Sequence, residues 1–120
     1  MRTFNRLAIA FALGLFFCGS AAVSGGDGLT ITINNDSTNN LLVTVYDRNA
    51  NPPLKVLAGK IIYGSASISV AISPDDSGKG HVSWTATTVD HDMRRCGHND
   101  KPNLNDGDIV RVHADGDCAG

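Results

Sequence analysis

The chain reads as an all-β protein, a small antiparallel β-sandwich of immunoglobulin-like size with about seven strands and one disulfide. Three observations predict it. Short apolar runs alternate with period two and none keeps a helical period. Clusters of Asn, Asp, Gly, Ser and Pro separate the runs, and every acidic residue is Asp, with Glu and Gln absent. Asp, Asn and Gly favour turns, whereas Glu and Gln favour helices. Finally, two cysteines stand in the second half of the chain, and a domain this small needs a covalent tie.

The first residues are expected to lie outside the fold. Arg2 and Arg6 precede an apolar run, Leu7 to Gly19, and small residues follow from Ser20 to Ser24. That order is a secretory signal peptide over residues 1–22, cut after Ala22 or Ser24, of a bacterial type. The run is short for a membrane span, which needs about 20 apolar residues. Phe17 before Cys18 fits lipid attachment poorly. Residues 23–120 then form one domain, secreted or periplasmic, with no transmembrane segment. The leader removes two of ten cationic residues, and the eight that remain against twelve aspartates leave a formal charge near -4. Nucleic acid and anionic membranes select basic patches, so neither is an expected partner.

Leu29 to Asn34 opens the sandwich, with Leu29, Ile31 and Ile33 on one face and Thr30 and Thr32 on the other. Asn34 to Asn40 is a turn. Asn35-Asp36-Ser37 has the form of a glycosylation sequon, of consequence only in a eukaryotic host. Leu41 to Asp47 places Leu41, Val43 and Val45 against Leu42, Thr44 and Tyr46, and apolar character on both faces suits a central strand. The stretch from Ile31 to Asp47, under a fifth of the chain, resembles the first hairpin of thaumatin-like sandwiches, without their many cysteines. The resemblance implies a sandwich opening and carries no activity.

Pro52 and Pro53 stop any ladder. Leu54 to Leu57 and Lys60 to Tyr63 flank Ala58-Gly59, which reads as a hairpin with Gly supplying positive φ. Ala66 to Ser73 alternates cleanly, with Ala66, Ile68, Val70 and Ile72 inward, and Pro74 to Gly80 turns. In His81 to Thr88, Val82, Trp84 and Ala86 face the core and His81, Ser83, Thr85 and Thr87 face out. Trp84 is the large anchor. After Asn105 to Asp108, the last strand, Ile109 to Ala114, points Val110, Val112 and Ala114 inward.

Val89 to Gly107 reads as a long loop, and loops beyond about 12–15 residues are usually functional or disordered. A Cys96–Cys118 disulfide would tie it to the tail and argue against disorder. Three chemistries compete there. Met93, Arg94 and Arg95 form an apolar and cationic tip in an acidic protein, which suits recognition of an extracellular or envelope protein or a glycan. Asp90, His91, Asp92 and His98 could hold zinc, although their spacing is no zinc finger and the disulfide removes Cys96. Oxygen ligands for calcium are offered by Asn103, Asn105, Asp106 and Asp108, or by Asp115 and Asp117, without the EF-hand Glu. A hydrolase built on Ser83 with a histidine and an aspartate ranks third, since no nucleophile turn, oxyanion Gly run or phosphate loop supports it. Thr30 with Thr32, and Thr85 with Thr87, could make a flat Thr face, although Thr favours exposed strands anyway. The sequence therefore favours a non-catalytic binding protein that uses no cofactor, with a zinc or calcium accessory protein as the alternative.

Overall fold

The computed structural model describes residues 28–89 and 95–118. They form eight strands and no helix. These are β1 (Leu29–Asn35), β2 (Leu41–Asp47), β3 (Leu54–Ile62), β4 (Ser67–Ile72), β5 (Gly80–Thr88), β6 (Arg95–Leu104), β7 (Ile109–Val112) and β8 (Gly116–Asp117). A five-stranded sheet runs β8-β6-β5-β2-β3, and a three-stranded sheet runs β4-β1-β7. The two form a sandwich, as the alternating runs predict. Every pair is antiparallel except β1 with β7, where Ile33 faces Val110 in parallel register. No helix among the described residues is long and apolar enough to cross a membrane.

Most of the core consists of inward positions read from the alternation, and Leu57, Ile62 and Leu104, not assigned inward from the sequence, complete it. Ile31 and Ile33 of β1, Leu41, Val43 and Val45 of β2, and Val82, Trp84 and Ala86 of β5 are buried. Val70 and Ile72 of β4 and Val110 and Val112 of β7 close it from the other sheet. Ala66, Ile68 and Ala114, also expected inward, pack partly buried against its rim. β2 and β5 lie inside the larger sheet, each hydrogen-bonded on both sides, as the two-sided character of β2 requires.

Two buried polar side chains join the sheets at the strand ends. Asn35 Nδ2 donates to the carbonyls of Asn39 at 2.7 Å and Ile62 at 2.8 Å. Its amide is consumed in the fold, so the sequon at Asn35 has no accessible acceptor. At the opposite end the Asp47 carboxylate accepts from Ser73 N at 2.8 Å and from Asn49 N at 3.1 Å.

Several expectations are corrected. Ala58-Gly59 does not turn a hairpin, because β3 runs through it as one strand of nine residues. Gly59 has φ 57°, the register against β2 shifts there, and Gly59 N donates to Thr44 Oγ1 at 3.0 Å. An isolated glycine in a strand suits a bulge as well as a turn, and the neighbouring ladder decides between them. β1 and β2 belong to different sheets, so Asn34 to Asn40 is an arch across the sandwich and the resemblance to a first hairpin does not hold.

The largest correction concerns the long loop. Residues 95–104 are a strand of ten residues paired to β5, with Trp84 opposite Asn99 and Thr87 opposite Cys96. Only Leu104 of β6 is buried. The alternation signal depends on one buried face, and β6 lies beyond the apolar core, held by backbone pairing. Its open edge is blunted by Lys101 and Pro102 and by Asn99 Oδ1, which accepts from Asp100 N at 2.8 Å.

Cys96 and Cys118 form the expected disulfide, with Cα atoms 5.1 Å apart. It staples the chain just past β8 to β6, where Gly116 and Asp117 pair with Cys96 and Arg95. Closing a loop of this length removes roughly 3 kcal/mol of chain entropy from the unfolded state. Cys96→Ala with Cys118→Ala is expected to lower unfolding stability by about that amount in denaturant melts. A change under about 0.5 kcal/mol would show that the bond adds nothing to the sandwich.

Candidate functional site

The solvent face of the five-stranded sheet carries the side chains that the core cannot use. Cross-strand register sets them in rows. Tyr46 faces Ser83, which faces Asp100, while Thr44 faces Thr85, which faces His98. Residues two apart on a strand share a face, so the two rows lie side by side. All of these but Thr44, together with Arg48 and Pro53 from the β2–β3 connection and Asn99 at the edge, line an open groove of about 710 Å³. Trp84 belongs to the same lining and is 1% exposed, so the groove lies directly over the core.

The polar groups are ordered locally. His81 Nε2 lies 2.9 Å from both oxygens of Asp100 across the β5–β6 pair. Lys55 Nζ stands 5.6 Å from the Tyr46 ring centroid. Lys55 pairs with Tyr46 from β3, so it flanks the ring on the side away from β5. The segment after β7 covers the inner side of β6. A Cβ on Gly97 would lie within bonding range of the His113 carbonyl, so only glycine admits this approach. His113 in turn sets its ring edge-on to Trp84, with centroids 5.5 Å apart.

The site residues expected from sequence fall in different places. Asp90, His91, Asp92, Met93 and Arg94 lie outside the described residues. Arg95 opens β6, is exposed, and donates from Nη1 to the Asp115 carbonyl at 3.1 Å, so its guanidinium helps hold the tail. His98 is on the groove, and the other ligands expected with it, Asp90, His91 and Asp92, lie outside the described residues. Among the described residues no three His, Cys or Asp side chains gather as a metal site. Two of the carboxylates considered for calcium have structural work. Asp106 Oδ1 accepts from Thr30 N at 2.7 Å, and Asp108 Oδ2 accepts from Asn105 N at 2.8 Å, which docks the β6–β7 turn on β1.

Ser83, His81 and Asp100 do come together on one face. They lack the triad's connectivity among the described residues. Asp100 occupies the His81 Nε2 position, and no hydrogen bond joins Ser83 Oγ to the imidazole. The two Thr pairs also part company, since Thr30 and Thr32 belong to the three-stranded sheet and Thr85 and Thr87 to the other.

The groove residues Tyr46, Arg48, Pro53 and Asn99 were not legible as a site. They sit on β2, on the β2–β3 connection and on β6, and the β2-β5-β6 register brings them near one another. No protein-family model matches the chain, and comparisons with curated proteins and with solved structures return no significantly similar protein.

Proposed function

We propose that the protein acts by non-covalent binding at the solvent face of its larger sheet, without catalysis, in a secreted or periplasmic setting. The observation that supports this reading is the groove itself. It is open, lies on a hydrogen-bonded sheet and brings the Tyr46 ring together with Arg48, Ser83, Thr85, His98 and Asp100. Rigid elements hold such groups in place before binding and reduce the ordering cost. On this reading the segment 89–107 contributes through His98 and Asp100, and Met93 and Arg94, outside the described residues, are proposed as a second contact.

Two variants test the assignment on an array of immobilised glycans and peptides. Tyr46→Ala with Asp100→Ala is expected to weaken any binding shown by the wild type by tenfold or more, about 1.4 kcal/mol. Met93→Ala with Arg94→Ala is expected to weaken it less. Unchanged binding by the groove variant would place recognition elsewhere, and loss confined to the second variant would place it at the connection alone.

A further inference from the structure

We propose that the groove is a subsite for a neutral saccharide, with Tyr46 as the stacking platform and Asp100 as the principal hydroxyl acceptor. The inference rests on the binding reading above and supplies its ligand class. Four properties of the groove carry it.

The first is charge. Arg48 and Asp100 are its two formal charges, of opposite sign, and His81 lies against Asp100 rather than in open solvent. A phosphate or an acidic peptide needs converging cations, and a cationic ligand needs converging carboxylates. Neither is present, so the groove favours a neutral ligand.

The second is the kind of polar group. Ser83 and Thr85 donate and accept, Arg48 donates and Asp100 accepts. An ionised carboxylate has about four acceptor positions, so Asp100 keeps capacity beyond its contact with His81. Neighbouring hydroxyls on a sugar ring supply donors and acceptors in alternation, which this mixture matches.

The third is the aromatic surface. Tyr46 is half-buried, with Lys55 beside its ring from β3 and the groove on the side of β5. A sugar ring presents an apolar C–H face that packs on such a ring while its hydroxyls reach the polar row. Pro53 extends this surface from the neighbouring connection.

The fourth is the backbone. β2 and β5 are hydrogen-bonded on both sides, and the one open edge beside the groove, β6 beyond Cys96, is blunted against an extended peptide by Lys101, Pro102 and the Asn99 side chain. Peptide recognition by strand addition needs that edge, and recognition by an apolar helix needs a deep hydrophobic trough. This floor has side chains alone to offer. Its volume of about 710 Å³ suits a short oligosaccharide.

The test is isothermal titration calorimetry of the oxidised protein with neutral tetrasaccharides of glucose, mannose and N-acetylglucosamine. A proline-rich peptide and inorganic phosphate serve as comparators. Saturable binding of at least one saccharide is expected, weakened about tenfold by Tyr46→Ala and by Asp100→Asn, and largely kept by Tyr46→Phe. Thr85→Lys, which places a long side chain in the groove from an exposed position, is expected to abolish it and guards against a Tyr46→Ala protein that fails to fold. No saccharide binding at millimolar concentration, or binding unchanged by Tyr46→Ala, Asp100→Asn and Thr85→Lys, overturns the proposal. If the peptide or phosphate binds instead and responds to Thr85→Lys, the saccharide is wrong and the binding face stands. Silence from every probe removes both.

Discussion

Trp84→Ala is expected to cost about 3–5 kcal/mol, the range for emptying a buried aromatic site. A domain of this size is stable by roughly 5–15 kcal/mol, so the variant should sit at the margin of folding. In thermal melts the midpoint should fall by on the order of 15–30 °C. The reason is position. Trp84 is 1% exposed, pairs with Val45 and Asn99 on its two sides, and meets the His113 ring. Its loss therefore loosens both the core and the segment that covers β6. Trp84→Phe separates packing from polarity. The indole Nε1 is buried with no hydrogen-bond partner among the described residues, so Phe removes an unsatisfied donor while keeping most of the ring. Its cost should be well below half that of Ala. Equal losses for Phe and Ala would show that the indole N–H has a partner that matters.

Asp47→Ala is expected to cost about 2–3 kcal/mol, because a charged acceptor is removed from buried backbone donors. The carboxylate is 1% exposed at the end of β2 and binds Ser73 N just past β4, so it ties one sheet to the other. Hydrogen exchange gives the specific readout, since protection of the Ser73 amide should be lost well before that of Val43 or Val82. Asp47→Asn keeps one acceptor oxygen and should fall between. An Ala variant within about 0.5 kcal/mol of wild type would contradict the clamp.

Much of the fold was legible because most strands obey one rule. β1, β2, β4, β5 and β7 each bury one face, and alternation reports burial. The rule fails where burial is absent. β6 buries Leu104 alone, so its polar run read as a loop although its backbone is paired along most of its length. At Gly59 the same glycine serves a turn or a bulge, and the choice belongs to the partner strand. Sheet membership was likewise hidden. Nothing in Asn34 to Asn40 distinguishes a hairpin turn from an arch, and the parallel pairing of β1 with β7 joins residues 77 positions apart, such as Ile33 and Val110.

The candidate site was legible only in part. The sequence points to the segment around His98 because polar variety is concentrated there, and His98, Asn99 and Asp100 do line the groove. Their partners Tyr46, Arg48 and Pro53 lie some fifty residues earlier and carry no motif. They become neighbours through the register of two interior strands, which no local pattern encodes.

The most direct measurement is an amide NMR titration of the oxidised protein with a neutral tetrasaccharide, then with zinc and with calcium. Saturable shifts from the saccharide at Tyr46, Ser83, Thr85 and His98 to Asp100, with small responses to either ion, are the predicted result. Shifts confined to the metal titrations and centred on His91, His98 and nearby aspartates would contradict the account and make metal binding the function.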